Sequence, residues 1–167
     1  MIDTQLASAK TAIHRNKVSA PLQWLLDNDL IRGEACNWGE GRAFLDTEAM
    51  DQRTGCAIGY DPNSSVSINR HMPAGMLFDT VYCGYVLNTL DARTAANVID
   101  QVRSHLTHDG IGYFAVRVDE VHGESYLDGV ITKRGTFQMS YAPYVHYSHL
   151  YDWIHKTGHY AIFRVHR

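Results

Sequence analysis

The sequence predicts an α/β fold: three layers, α/β/α, built on a mostly parallel sheet with an antiparallel C-terminal strand. Three observations predict it. Apolar and β-prone runs alternate with stretches of helical period along most of the chain. Phe78-Asp79-Thr80-Val81-Tyr82-Cys83 is nearly continuous in the way of a strand buried on both faces. A glycine pair, Gly39 and Gly41, follows a strand candidate and opens a helix, the position where parallel sheets bind ligands.

The elements follow in order. Ser8 to His14 and Ala20 to Leu30 read as helices, the second with Pro21 in its first turn and Ser19 as its cap. A strand, Glu34 to Trp38, runs into Gly39-Glu40-Gly41, and a helix from Arg42 to Asp51 follows. The second strand is Cys56 to Tyr60, ending at Asp61-Pro62, and Val66 to Asn69 reads as a short third. After Phe78 to Cys83, Asp91 to Leu106 has Ala95, Val98, Ile99, Val102 and Leu106 on one helical face. His108-Asp109-Gly110 signals a turn and Gly112 to Val118 a strand. Asp119 to Tyr144, rich in Gly, Tyr and Ser, reads as a loop or hairpin insertion. A helix from Ser148 to Lys156, a turn at Gly158 and a strand from Tyr160 to Val165 close the chain.

With 167 residues, 45% of them hydrophobic, the sequence suits one domain over 1–167, with N-terminal helices in 1–30 and an insertion or lid in 119–145. No run approaches the ~18 apolar residues of a membrane span, and the N-terminus lacks a signal-like apolar region. A soluble, cytoplasmic protein without a membrane partner is expected. The three cysteines, Cys36, Cys56 and Cys83, form no CxxC pair and read as small buried hydrophobes rather than a disulfide framework or zinc site. Ten histidines, among them His146, His149, His155 and His159, come with no Cys or carboxylate cluster, so no metal is expected. The net charge of −3 argues against a generic nucleic-acid surface. From Ile131 onward, however, Lys133, Arg134, Lys156, Arg164 and Arg167 face only Asp152. That is either a solvated face or a surface for an anionic partner. Tyr141, Tyr144, Tyr147 and Tyr151 make a half-buried aromatic patch or a base-stacking surface.

The chemistry concentrates at two strand ends. Asn37-Trp38-Gly39-Glu40-Gly41-Arg42-Ala43 lets the backbone turn sharply and approach a ligand, and Asp61 offers a carboxylate to a pair of ribose hydroxyls. Phe44 stands where a dinucleotide fingerprint would have glycine, and its bulk would hinder helix–strand packing. That favours a cofactor without a pyrophosphate.

Asn37 to Ala43 resembles the glycine-rich motif I of class I S-adenosylmethionine (SAM) methyltransferases, with Asn37 in place of the usual acid and Ala43 in place of the last glycine. Asp61 resembles the family's ribose-binding acid. FDTVYCGYVLNTL, Phe78 to Leu90, is similar to its fourth-strand motif, and His105 to Val118 to the turn and fifth strand that follow. A narrower resemblance, to methyltransferases associated with DNA phosphorothioation gene clusters, rests on five strings. These are Thr11 to Arg15 with Ser19 to Pro21, GYDP at Gly59 to Pro62, YVLN at Tyr85 to Asn88, and DGVITKRGTFQ at Asp128 to Gln138.

The resemblance implies a Rossmann-like fold and a SAM site formed by Arg15, Asn37, Gly39, Gly41, Asp61, Pro62, Gly84, Tyr85 and Asn88. Arg15 is either a fork for the methionine carboxylate or a surface arginine. Tyr85 and Asn88 either line the transfer site or pack. Arg134, Thr136 and Gln138 are the candidate contacts to the methyl acceptor, against an ordinary self-bonded hairpin. The expected activity is methyl transfer from SAM to an N or O nucleophile, with no catalytic residue assigned. A catalytically silent SAM-binding module and a nucleic-acid interaction protein are the alternatives. No Asp-Pro-Pro-Tyr, Asn-Pro-Pro-Tyr or Pro-Cys string of DNA methyltransferases follows the fourth strand, since Cys83 precedes glycine.

Overall fold

The computed structural model describes residues 15–63, 71–72, 75–146 and 149–167. The expected helix Ser8 to His14, the expected strand Val66 to Asn69, and Tyr147 lie outside them. The elements are α1 (Ala20–Asp27), β1 (Ala35–Trp38), α2 (Phe44–Thr54), β2 (Ala57–Tyr60), β3 (Phe78–Gly84), a 3-10 turn (Leu87–Thr89), α3 (Ala92–Ser104) and β4 (Leu106–Arg117). Three short strands follow, β5 (Glu124–Tyr126), β6 (Gly129–Ile131) and β7 (Phe137–Gln138), then β8 (Asp152–Lys156) and β9 (Tyr160–His166).

The main sheet has the order β2-β1-β3-β4-β9-β8. β1 lies parallel to β2 and β3, and β3 to β4, while β9 is antiparallel to both β4 and β8. Only β9 therefore runs against the rest. The predicted α/β architecture with an antiparallel C-terminal strand is what the chain forms.

Alternation along the buried strands supplies both faces. Tyr113 and Ala115 of β4 join Tyr82 and Ile162 beneath Leu22, Leu25 and Leu26 of α1 and Met50 of α2. Phe114 and Val116 point the other way, to Ala95 and Val102 of α3 and to Phe137, Met139 and Tyr141. The segment expected as an insertion thus carries a small antiparallel sheet, β5-β6-β7, whose apolar residues complete the main core.

Several local expectations need correction. The C-terminal helix expected from Ser148 to Lys156 is instead the strand β8, and Ser148 lies outside the described residues. Trp153 stands in T-shaped contact with Phe163, and His155 stacks on Trp24 of α1 at 4.2 Å. A register shift between Trp153 and His155 lets Ile154 and His155 serve one face while Trp153 serves the other. Cross-strand aromatic pairing outweighs an apolar spacing that fitted either element.

Ser19 sits at the N-terminus of α1 with no side-chain cap bond. Its hydroxyl shares a 3.0 Å hydrogen bond with the Tyr82 hydroxyl, and its N–H donates to Asp46 Oδ1 at 2.7 Å. The turn at His108-Asp109-Gly110 does not separate helix from strand; β4 begins at Leu106 and absorbs these residues as an irregularity opposite Phe78 to Thr80. Cys56 is exposed rather than buried, its thiol donating to Glu34 Oε2 at 2.8 Å. Phe44 opens α2 at 38% exposure, so its ring points outward and does not obstruct helix–strand packing as its bulk suggested.

One buried side chain ties the small sheet to the large one. Asn88, 1% exposed, donates its amide to the carbonyls of Met139 (2.6 Å) and Arg117 (3.2 Å) and accepts from the Arg117 N–H at 2.7 Å. The Met139 N–H returns to the Asn88 carbonyl at 2.7 Å. Asn88→Ala strands these main-chain groups in the core and should lower the unfolding free energy by roughly 2–3 kcal/mol, read from urea denaturation midpoints.

Candidate functional site

The chain leaves β1 toward β2 on one side and reaches β3 on the other, so the order reverses between β1 and β3. The carboxyl ends of these two strands border a crevice of the kind that binds ligands. Gly39 and Gly41 turn the chain there with φ of 77° and 55°, both left-handed. The N–H groups of Gly39 and Glu40 donate to the Tyr60 carbonyl at 2.7 and 3.1 Å, which pins the loop to the end of β2. From the other side the Val86 side chain closes so tightly on Gly39 that any Cβ there would collide with it.

Asp61 follows β2 directly. Its Oδ2 accepts the Gly41 N–H at 2.9 Å and its Oδ1 the Asn63 N–H at 2.8 Å. The carboxylate is thereby aimed along the loop. A carboxylate has about four lone-pair directions and can accept several hydrogen bonds at once. Pro62 is exposed beside it.

Beneath the loop lies a group that the sequence did not single out. Glu40 is only 7% exposed and its carboxylate fills the space over Gly59, where a Cβ would overlap it. Thr47 Oγ1 donates to Glu40 Oε1 at 2.6 Å, and Asn37 Nδ2 donates to Thr47 Oγ1 at 3.0 Å. Asn37 therefore reaches the loop through Thr47 and is itself 3% exposed. A second carboxylate at position 37 would repel Glu40 in this small buried space, which accounts physically for the neutral amide. The readable signal was an acid between two left-handed glycines, paired with a glycine in β2.

Gly84 ends β3 under the Tyr82 side chain, and Tyr85 follows with φ 63°, an uncommon backbone for a bulky residue. Its N–H donates to the Ala115 carbonyl at 2.8 Å. The Arg15 guanidinium carbon stands 5.2 Å from the centre of the Tyr85 ring. Burial pushes the Tyr85 phenol up to about 12, against the opposing charge of Arg15. Burial likewise raises the Asp46 carboxyl, against the Ser19 hydrogen bonds and the Arg15 charge. Arg15 thus belongs to a partly buried polar group with Tyr85, Asp46, Ser19 and Tyr82.

The sequence-derived positions fall into three sets. Arg15, Gly39, Gly41, Asp61, Gly84 and Tyr85 gather at the carboxyl edge of β1, β2 and β3. Asn37 and Asn88 are committed beneath and beside it. Arg134, Thr136 and Gln138 lie on the β6–β7 hairpin, where Thr136 bonds Thr132 (Oγ1 to Oγ1, 2.8 Å) and Gln138 pairs with Val130. Arg134 is exposed at the turn. Asp128 of the same segment accepts the Ala92 N–H at 2.7 Å, fastening the hairpin to the start of α3. Further along the same edge Asp119 accepts from His159 at 2.9 Å, another contact the sequence did not signal. Among the described residues no three His, Cys, Asp or Glu side chains form a metal-binding group, and no helix is long and apolar enough to cross a membrane.

No family model and no curated protein matches the chain. Solved structures do. DhpI in complex with S-adenosylhomocysteine (SAH) is similar over 87% of this chain and 82% of its own, with TM-score 0.61 and 14% identity. The glycopeptide N-methyltransferase MtfA matches over 97% of both chains, with TM-score 0.58 and 11% identity. The magnesium protoporphyrin IX methyltransferase of Synechocystis PCC 6803, with bound SAH, matches over 95% of this chain and 83% of its own, with TM-score 0.54 and 14% identity. The chain has the methyltransferase fold.

Two predictions follow from this geometry. Gly39→Ala must hold a left-handed alanine against Val86 and should cost about 2–3 kcal/mol, measured by chemical denaturation. For Asp46, a folded-state value raised above the ordinary 3.8 means that stability is fully present in acid and declines as pH rises through the folded value. Asp46→Asn keeps an oxygen for the Ser19 N–H and escapes that decline. The variant should therefore gain on the parent in melting temperature between acid and neutral pH.

Proposed function

We propose that the protein binds SAM at the carboxyl edge of β1, β2 and β3 and transfers its methyl group to an N or O nucleophile. The observation that carries this is the Gly41–Asp61 contact, which sets a carboxylate against a left-handed glycine loop whose residue 39 has no room for a Cβ. Asp61 would accept the ribose hydroxyls, with Pro62 at its flank. Gly39 and Gly41 admit close approach of the ligand, and Gly84 and Tyr85 would border its methionine portion. Arg15 offers a planar fork to the methionine carboxylate. The neighbours described with SAM or SAH bound support this reading.

Bound SAM would supply an electrophilic methyl group on a sulfonium. The chain's contribution is then positioning and exclusion of water. Tyr85, held in an unfavourable backbone conformation and packed beneath Arg15, would form the floor on the acceptor side. The β6–β7 hairpin would cover that side, with Lys133 and Arg134 exposed at its turn. Arg134, together with Thr136 and Gln138, would then meet the acceptor, and an anionic acceptor, nucleic acid included, complements the two cations. Within the class, the DGVITKRGTFQ string favours the phosphorothioation-associated methyltransferases.

Calorimetric titration with SAM and SAH tests the site. Both ligands should bind the parent, and Asp61→Ala should weaken them by more than about tenfold, or 1.4 kcal/mol. Absence of binding to the parent would leave a methyltransferase scaffold without its cofactor.

A further inference from the structure

We propose that His159 is the general base of the reaction and that Asp119 is its positioning residue; this rests on the SAM-site reading above. The β8–β9 turn stands at the carboxyl edge of the sheet. The Val118 N–H donates to the His159 carbonyl at 3.0 Å, Arg117 pairs with Tyr160, and the Tyr85 N–H meets Ala115 two residues earlier on β4. The turn therefore rises just beyond Tyr85, across β4 from the end of β3. The Tyr85 phenol also feels the charge of Asp119 and the nearby Tyr160 hydroxyl.

His159 Nδ1 lies 2.9 Å from Asp119 Oδ1, and Arg117 Nε lies 3.4 Å from Asp119 Oδ2. The His159 hydrogen bond and the neighbouring Arg117 guanidinium hold the Asp119 carboxyl below its ordinary range, so it is an acceptor only. Nδ1 then carries the proton, and the neutral ring presents the Nε2 lone pair outward. Among the described residues no partner meets Nε2, and the side chain is 86% exposed. Arg117 on β4 adjoins Asp119, and Tyr85, with Arg15 against its ring, feels both the charge of Asp119 and the Tyr160 hydroxyl of β9.

An acceptor that still bears its proton at neutral pH calls for such a group: an ammonium has no lone pair until it has given a proton to His159 Nε2, and a hydroxyl gives its proton up as it attacks. The acceptor's lone pair forms the new bond to the methyl carbon as the sulfur–carbon bond breaks, and that electron pair stays on sulfur. The acceptor proton passes to His159 Nε2, and Asp119 stabilises the resulting imidazolium. Solvent removes the proton afterwards.

Imidazole nitrogen NMR on the full chain tests this at fixed pH, comparing complexes with SAM and with SAH. A base facing the transferred methyl must sense the loss of the sulfonium charge. The His159 Nε2 line should therefore move between the two complexes further than that of His108, which lies at the opposite edge of the sheet. Asp119→Asn should abolish the Nδ1–H tautomer and reduce the His159 displacement to the level of His108. His159→Gln should bind SAM as the parent does and, with any acceptor in an SAH-release screen of simple amines and alcohols, slow turnover on the order of 10²-fold or more. Binding of both ligands with no displacement at His159 would overturn the base and leave the SAM site standing. Failure of both ligands to bind would overturn the two together.

Discussion

The site depends on two left-handed glycines, Gly39 and Gly41, the first of which has no room for a Cβ. Only with left-handed φ at both glycines do the N–H groups of residues 39 and 40 reach one carbonyl on β2 while that of residue 41 reaches Asp61. Val86 then fills the space on the side of β3. The loop is thus clamped between its two neighbours, and the crevice at the switch point acquires a floor of main-chain atoms. Everything proposed for the ligand follows from that closeness. Glycine's conformational cost in the unfolded chain is accepted here because no other residue permits the approach.

Around this clamp the protein buries more polar chemistry than its core requires. Glu40, Thr47 and Asn37 form one chain beneath the loop, and Asp46, Ser19 and Tyr82 another beneath Arg15. Burying carboxyl groups opposes stability unless hydrogen bonds and nearby cations offset the lost hydration. Both groups sit at the carboxyl edge, where α1 and α2 begin, rather than in the apolar interior between sheet and helices. Their effect is to fix the entry of each helix relative to the strand ends. Rigid contacts of this kind would hold the proposed ligand in a fixed alignment.

The small β5-β6-β7 sheet shows a second solution to the same geometric demand. Instead of packing a helix after β4, the chain folds a three-stranded patch back over the core through Phe137, Met139 and Tyr141. Asn88 and Asp128 fasten it, the first to β4 and the second to the N-terminus of α3, where a carboxylate also complements the helix dipole. Its polar turn, with Lys133 and Arg134, is left exposed.

The sequence by itself determined the layer order, the parallel core strands, the amphipathic α3 and the glycine–aspartate pair, because each is written in local periodicity or in residues with few conformational alternatives. It did not determine β8. Asp152 to Lys156 has an apolar spacing that fits a helix turn as well as a bulged strand, and only pairing with β9 and the stack of His155 on Trp24 decides between them. Glu40 beneath Gly59, the use of Ser19 by Tyr82 rather than as a cap, and the His159–Asp119 pair were likewise invisible. Each joins residues 19 to 63 positions apart, and such contacts exist only once the strands have set the register between them. Residue type announces that a group can act; distance across the folded sheet decides with which partner.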